Sequence, residues 1–200
     1  MLDAAHALFA ERGFAETTMD DVAAAAGITK PLLYNYFGNK ERLYLACMAP
    51  AGEALVATVL DAVASTSNAA DALDSGLRAF FAFLAADRAA WRVLFDETLP
   101  AGGEVARSVG EYRERITELV GQALLAQLPA ARRRKATIEV EALSIAVLGA
   151  AEALGRWWLR SDAIPSEQAA EMMIETLGPG LRNRAAAPAA PRQPAAEVIG

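Results

Sequence analysis

The sequence has very little of the side-chain chemistry on which metal sites and nucleophilic catalysis depend. It contains one cysteine, Cys47, and one histidine, His6, in 200 residues. A single cysteine excludes an intramolecular disulfide framework. The two residues together are too few for a recognisable metal-ligand set, and no pair of acids has the context of a hydrolytic site. We therefore expect no metal, no cofactor and no catalytic residues, and we predict that the protein is not an enzyme.

Alternating apolar and polar runs, which would indicate β-strands, are also scarce. The chain is rich in alanine, and 54% of its residues are hydrophobic while 22% are charged. Alanine favours helices, and this balance is ample for a sizeable core. No signal-peptide pattern and no uninterrupted membrane-spanning run is found. The sequence predicts an all-α protein of one or two domains in the cytoplasm, with no membrane partner.

An excess of positive charge is missing as well. The formal net charge is -6, which argues against nonspecific binding of nucleic acid through bulk electrostatics. Residues 22–40 differ from the rest, because they contain Lys30 and Lys40 and no acid. A locally basic segment in an acidic protein permits specific DNA contact and suppresses nonspecific contact.

This basic segment lies within Thr17–Lys40, which has the signals of two short helices joined by a glycine turn. Thr18 is a suitable N-cap, and Asp21 three residues later completes a variant of the capping box. Gly27 ends the first helix. Thr29 offers the next N-cap, and Pro31 falls in the first helical turn, where a missing N–H costs little. The segment is therefore predicted to be a helix-turn-helix.

The second of these helices is expected to show an outward face that is poor in charge. At about 100° per residue, Leu33 and Phe37 lie on one side and face the core. The opposite side carries Pro31, Leu32, Tyr34 and Asn35. An amide that can pair with adenine and apolar groups that can contact thymine methyls suit the major groove of DNA. Helix-turn-helix recognition is the interpretation that this face favours.

A family resemblance is carried by two segments, LDAAHALFAERGFAETT and VAAAAGITKPLLYNYFGNKERLYLA. They contain the pattern F-x-x-x-G-[FY] at Phe9, Gly13 and Phe14, a Thr-Thr pair, A-x-x-A-G, L-Y-x-Y-F and a following lysine. Together these motifs resemble the N-terminal DNA-binding domain of the tetracycline-repressor (TetR/AcrR) family of bacterial regulators. The resemblance implies a DNA-binding domain at 1–46 and a helical ligand-binding and dimerisation domain at 47–182. The low-complexity Ala/Pro composition of residues 183–200 predicts a disordered tail.

The same resemblance implies roles for individual residues of the helix-turn-helix. The residues expected in the major groove are Lys30, Pro31, Leu32, Tyr34 and Asn35. The residues expected to hold phosphates are Thr18, Thr29, Tyr36 and Lys40. Packing is an alternative role for Tyr34 and Tyr36, and the two threonines are useful as caps in either case.

Outside this region, hydrophobic periodicity outlines further helices. Helix 1 is predicted from Leu2 to Arg12 with Gly13 as its stop, and helix 4 is predicted to break or kink at Pro50. An amphipathic helix runs from Leu73 towards Asp87. The two last helices, at about 137–160 and 166–180, are predicted to form a four-helix homodimer interface with a second copy, so that two half-sites of a palindromic operator are read. Closing the core of a monomer is the alternative role.

Aromatic and apolar side chains in the second domain are candidates for the wall of an effector pocket. The candidates are Phe80, Phe81, Phe83, Leu84, Trp91, Phe95, Tyr112, Trp157 and Trp158. Asp96, Glu97 or Glu152 would meet a polar or cationic group of the ligand, and ordinary core packing is the alternative for each aromatic residue.

The function indicated by these features is a DNA-binding transcriptional regulator, a repressor that a small apolar or amphipathic effector releases from its operator. Two rivals remain open. One is an all-α ligand-binding protein of the same fold that does not bind DNA, and the other is an all-α enzyme that uses the aromatic cavity.

Overall fold

The computed structural model describes residues 1–161 and 163–186, and in these ranges the chain forms ten α-helices and no β-strand. The all-α prediction is therefore confirmed. The helices are α1 Leu2–Glu16, α2 Met19–Ala25, α3 Lys30–Phe37, α4 Lys40–Ala64, α5 Ala69–Ala86, α6 Arg88–Leu94, α7 Gly103–Ala126, α8 Ala130–Arg133, α9 Thr137–Ser161 and α10 Ser166–Ala186.

The first three helices and the start of α4 enclose an aromatic centre. The ring of Phe9 lies edge-on to Tyr44 with centroids 4.9 Å apart, and Phe14 lies edge-on to the same tyrosine at 5.2 Å. Val22 and Leu33 are fully buried beside them. These ring contacts hold α1 against the start of α4.

Helix α1 continues beyond its predicted end. The helix is interrupted at Gly13, as predicted, where φ is 78° and ψ is 172°. Helical residues then resume and continue to Glu16. The prediction of a stop at Arg12 was therefore short by one turn. The positive φ is a conformation that glycine adopts at little cost.

The predicted break at Pro50 is wrong, because α4 is one helix of 25 residues with Pro50 inside it. Met48 and Ala51 are buried on either side of the proline and hold the two halves in line. Pro50 itself is exposed, where water can hydrate the carbonyl that lacks its helical partner. The proposed boundary between residues 46 and 47 thus falls inside a continuous helix.

The remaining helices form a bundle around α5. This helix buries the stripe that its periodicity predicts, namely Leu73, Leu77, Phe80, Phe81 and Leu84. It packs against α4, α7 and α10, while α9 packs mainly on α7. Fully burying an apolar side chain of this size contributes about 1.5–3 kcal/mol, so this stripe anchors the bundle.

Helix α9 is buried on one side only in the single chain. Val147, Ala151 and Trp158 face the core, each with 3% of its surface exposed. Ile138, Ile145 and Trp157 lie on the other side and are 82%, 58% and 41% exposed. The apolar sequence of α9 therefore leaves an uncovered apolar stripe, to which Met172 of α10 adds a side chain that is 46% exposed.

Two further expectations concern the membrane and the C-terminal tail. Among the described helices, α4 alone is long and apolar enough to span a bilayer, and half of its most apolar stretch is buried in the protein. Such a helix is equally well explained as a core element. The predicted tail begins at residue 183, whereas α10 extends to Ala186, and residues 187–200 lie outside the described residues.

Candidate functional site

The helix-turn-helix is held by the capping box that the sequence predicts. The Thr18 hydroxyl accepts a hydrogen bond from the Asp21 backbone N–H at 3.1 Å, and Asp21 Oδ2 accepts from the Thr18 N–H at 3.0 Å. Hydrogen bonds from the Thr18 hydroxyl and backbone lower the pKa of Asp21. Gly27 turns the chain into α3 with a φ of 66°. Thr18 therefore fixes the start of the supporting helix.

Helix α3 buries one side and exposes the other as expected. Leu33 is fully buried and Phe37 is half-buried. The exposed residues are Pro31, Leu32, Tyr34, Asn35 and Tyr36. Tyr36 is 64% exposed, so core packing does not account for it. The side chains predicted to read DNA thus form one uncovered surface.

The polar residues at the start of α3 differ in what they contact. Thr29 is the N-cap of α3, but its side chain makes no capping hydrogen bond. Lys30 Nζ donates a hydrogen bond to Asp20 Oδ2 at 2.8 Å, and this bond raises the pKa of Lys30. Both side chains of the pair are about half exposed or more, so the ion pair is weak and easily exchanged for a phosphate. A contact of Lys30 with DNA would set Asp20 free.

Lys40 has an environment unlike that of Lys30. Its ammonium donates to the carbonyl oxygens of Phe14 at 2.7 Å and Thr17 at 3.0 Å, with Ala15 O at 3.4 Å, and it lies 4.3 Å from the centre of the Phe14 ring. Three acceptors match the three donors of an ammonium group. These hydrogen bonds link the start of α4 to the end of α1 and the connection to α2.

Two small apolar cavities lie between α4, α5, α7 and α9. The first has a volume of about 30 Å³ and lies between Val59, Leu73 and Val147. The second, of about 20 Å³, lies nearer the helix-turn-helix, between Met48, Phe95 and Tyr112. Both cavities share the side chains of Phe80, Ile116 and Leu148. They mark one path through the bundle that must widen before it admits an organic ligand.

The structure brings some of the predicted pocket residues together and separates others. Phe80 lines both cavities, and Phe95 and Tyr112 line the second. Phe81 and Leu84 are fully buried, line neither cavity and belong to the core.

The tryptophans do not face these cavities. Trp91 stacks on Phe95, with ring centroids 3.7 Å apart, and borders an outer cleft. Trp157 lies on the exposed side of α9. Trp158 is the buried neighbour, and its indole N–H donates to Ile164 O at 2.8 Å.

The three acids considered as ligand partners are already engaged. Glu152 is buried, and Arg113 forms a bidentate pair with it, with Nε 2.9 Å from Oε1. Glu97 lies 3.4 Å from Arg156. Asp96 accepts hydrogen bonds within its own turn and from α1. Their contacts do not support the expectation that they await a cationic ligand.

The contacts of α1 and α4 with α6 and the turn after it were not foreseen from the sequence. The Tyr44 hydroxyl donates to Val93 O, and burial raises the pKa of Tyr44. Asp96 Oδ2 accepts from the Phe14 N–H, and Thr98 Oγ1 accepts from the Ala15 N–H at 3.1 Å. Helix α6 ends at Leu94, which leaves Asp96 and Thr98 in the turn that follows. No local pattern marks a contact between residues so distant in sequence.

Comparisons with known proteins agree with this architecture. Residues 1–47 match the family model "Bacterial regulatory proteins, tetR family", and residues 69–178 match "Tetracyclin repressor-like, C-terminal domain". The chain belongs to the tetR family. It is therefore an all-α, DNA-binding transcriptional regulator of the ligand-responsive type, with an N-terminal helix-turn-helix and a C-terminal helical domain.

Individual tetR relatives cover most of the chain. The transcriptional activator FasR of Mycolicibacterium smegmatis is 30% identical over 182 residues, which are 90% of this chain and 81% of FasR. A TetR-like regulator from Rhodococcus sp. RHA1 superposes with a TM-score of 0.72 at 32% identity, covering 88% of this chain and 90% of that one. FadR of Bacillus subtilis in complex with stearoyl-CoA has the same fold, with a TM-score of 0.73 and 18% identity over 90% of this chain and 96% of that one.

Proposed function

We propose that this tetR-family regulator reads its operator with the exposed side of α3 and is a repressor that an apolar or amphipathic effector releases. The observation that carries the proposal is that the side chains of α3 opposite the buried Leu33 are exposed. Base contacts are assigned to Lys30, Pro31, Leu32, Tyr34 and Asn35, and phosphate contacts to Thr18, Thr29 and Tyr36. All eight side chains are exposed on one module, as a groove-binding helix requires.

Lys40 is assigned a positioning role in place of the phosphate contact expected from the sequence. Its three carbonyl partners join α4 to the end of α1 and the start of α2. A phosphate would have to replace these hydrogen bonds, so the energetic gain from such a contact is small. Lys40 therefore positions α3 indirectly, by holding α4 against the segment that connects α1 and α2.

The active species is proposed to be a homodimer through α9 and α10. The exposed apolar side chains of Ile138, Ile145 and Trp157 on α9 and of Met172 on α10 support this assignment. An exposed apolar patch at helical spacing is typical of a protein interface. A dimer also supplies two reading helices for half-sites about 34 to 36 Å apart, and this compensates for the few positive charges of each module. Trp157 is thereby assigned to the interface rather than to the effector pocket.

The effector is proposed to enter the path between the two apolar cavities and to act through α6. Phe95 lines the second cavity, and the next residue, Asp96, holds the Phe14 N–H of α1. Movement of Phe95 by a ligand would shift Asp96 and so change the placement of the helix-turn-helix. The complex of FadR with stearoyl-CoA supports a ligand with an apolar chain.

The protein is further proposed to act in the cytoplasm, where its DNA lies, and to act by binding rather than catalysis. Its relatives are transcriptional regulators.

Since the FasR relative is an activator, the direction of control requires its own measurement. A reporter gene placed behind the selected operator should be silent with the protein and expressed when the effector is added. A reporter that needs the protein for expression would indicate an activator instead.

Selection of bound genomic fragments, followed by mobility-shift titration, tests the DNA assignment. We expect Tyr34→Ala and Asn35→Ala each to weaken operator binding by about 1–3 kcal/mol while the protein stays folded. Leu60→Ala, at an exposed position of α4, is the matched control and should bind normally. If no fragment is selected even at low salt, the chain is a ligand-binding protein that keeps the fold without the DNA function.

The dimer assignment needs a separate test. Ile145→Glu places a charge in the exposed stripe of α9, and Leu60→Glu places the same charge on an exposed apolar residue elsewhere. Light scattering coupled to size exclusion should find a monomer for the first variant and a dimer for the second. A dimer that survives Ile145→Glu and the further change Trp157→Glu would rule out this interface.

A further inference from the structure

One charged pair separates the interior cavities from the surface. Arg113 and Glu152 line the second apolar cavity together with Tyr112 and Leu148. The same arginine and glutamate line a groove of about 700 Å³ between α7 and α9, and Ile145 of the proposed dimer interface borders this groove. Every other residue that lines the second cavity is uncharged. The pair therefore lies between the outer groove and the second cavity.

The two partners of this pair are unequally exposed. The side chain of Arg113 is 48% exposed, whereas that of Glu152 is only 6% exposed. The guanidinium binds both carboxylate oxygens, with Nε 2.9 Å from Oε1. Arg113 can therefore turn outward into water, whereas Glu152 stays in the wall.

A second arginine keeps Glu152 from being left alone. Arg156, one helical turn further along α9, has Nη1 3.8 Å from Glu152 Oε2. A buried carboxylate that loses its partner is strongly destabilising. Because Arg156 stays nearby, Arg113 can leave Glu152 at a lower cost than in an isolated pair.

We propose that Arg113 is the head-group anchor for an effector with one anionic group and an extended apolar chain, and that Glu152 occupies this anchor while the effector is absent. The apolar chain of the effector would lie along Phe80 and Leu148. Its anionic group would replace the Glu152 carboxylate in the bidentate pair with the Arg113 guanidinium. This inference rests on the proposed function and names the chemical class of its effector.

A cationic head group is the opposite possibility. The outer groove carries Glu114, Glu118 and Glu141, which attract cations at its rim. At the mouth, however, a cation would have to displace two arginines from Glu152, whereas an anion needs to displace one carboxylate from Arg113. The inner contacts therefore favour the anion, because the half-exposed Arg113 can release Glu152 while Arg156 stays beside the buried carboxylate.

Calorimetric titration of the full-length protein with three probes of equal chain length tests the inference. The probes are dodecanoate and dodecyltrimethylammonium, each below its critical micelle concentration, and dodecanol below its solubility limit. We expect dodecanoate to bind at least tenfold more tightly than the other two. A preference for the cation, equal binding of all three, or no binding of dodecanoate would overturn the proposal.

Four variants separate anchoring from structural support. Arg113→Gln should weaken dodecanoate binding at least tenfold, and Glu152→Gln should strengthen it several-fold, since the internal competitor is weakened. The double variant, which removes both charges, should keep the fold and lose the preference for dodecanoate over dodecanol. Arg78→Gln breaks a similar bidentate pair, with Glu171, away from the cavities and should change nothing. Weaker binding in Glu152→Gln would identify the pair as structural only.

Two further measurements assign the source of the anion and separate this inference from the proposed function. Dodecanoyl-CoA carries its negative charge on phosphates rather than on a carboxylate. Tighter binding of this thioester that still depends on Arg113 would assign the anchor to phosphate, and weaker binding would assign it to a free carboxylate. A protein that binds its operator but not these anions fails the present inference alone, whereas failure to bind any operator refutes the proposed function.

Discussion

The carboxylate of Asp96 accepts a hydrogen bond from the backbone N–H of Phe14, across 82 positions of the chain. This N–H follows Gly13, where the break in α1 leaves it without a helical partner. A Cβ atom at Gly13 would lie 2.9 Å from Thr98 Oγ1 and 3.3 Å from Asp96. Glycine is therefore needed here for its positive φ and for the close approach of the α6–α7 turn.

Removing the Asp96 carboxylate should loosen α1 without unfolding the bundle. We expect Asp96→Ala to lower the free energy of unfolding by about 1–3 kcal/mol, because the part-buried Phe14 N–H loses its acceptor. Hydrogen exchange at Phe14 and Ala15 should accelerate, and it can be followed by mass spectrometry. Glu97→Ala, at the adjacent exposed position, is the matched control. Unchanged exchange at Phe14 in Asp96→Ala would show that the contact does not hold α1.

The two lysines of the helix-turn-helix should respond differently to the same substitution. Lys40→Met removes the donor to three carbonyls and should cost about 1–3 kcal/mol of stability, measured by urea unfolding. Lys30→Met breaks an exposed ion pair and should cost less than about 1 kcal/mol. Its effect should appear in operator binding, as a smaller slope of log affinity against log salt. The assignment fails if Lys40→Met leaves stability intact and Lys30→Met lowers it.

The parts of this fold that could be predicted from sequence depend on neighbours within one helix. The stripe that begins at Leu73 and the burial of Leu33 follow from helical periodicity alone, because residues three or four apart share a face. The capping box of Thr18 was predictable for the same reason, since both its residues lie in one turn.

The parts that could not be predicted depend on distant contacts or on ambiguous patterns. A proline within a helical pattern usually ends or kinks the helix, whereas α4 continues through Pro50 because the residues around it are buried. Trp157 and Trp158 lie in a segment that is apolar all round, so periodicity cannot decide which one faces the core. The role of Asp96 requires the approach of α1 to α6, which no local pattern encodes.

The contact between α4 and α7 gives a prediction about the cavity wall. A Cβ atom at Gly52 would lie 2.6 Å from Tyr112 Cζ, so the tyrosine ring lies directly on the backbone of α4. Gly52→Ala should therefore lower stability by about 1–3 kcal/mol through overpacking, measured by urea unfolding. Gly110→Ala, where a Cβ meets open space in α7, should instead raise stability by up to about 1 kcal/mol. Equal effects of the two substitutions would contradict the close approach of Tyr112.

Cys47 should be chemically silent in the folded protein. Its side chain is 5% exposed in the core of α4, and its thiol lies 3.8 Å from Leu2 O. Burial raises the pKa of Cys47 to about 12. Since the thiolate is the reactive species, a thiol with its usual pKa near 8.5 should react on the order of a thousandfold faster at pH 8.

Reaction with Ellman's reagent in native buffer and in guanidinium chloride measures this difference. The matched control is Ser67→Cys in a Cys47→Ser background, because Ser67 is exposed in the turn after α4. A native rate for Cys47 equal to that of this control would contradict its burial.

The raised pKa of Cys47 also fixes the sign of the change in stability with pH. The folded chain keeps a proton that the unfolded chain releases, so stability from this group is present below the unfolded pKa and is lost as pH rises towards about 12. Thermal unfolding of the native chain should therefore shift to lower temperature at alkaline pH by more than that of Cys47→Ser.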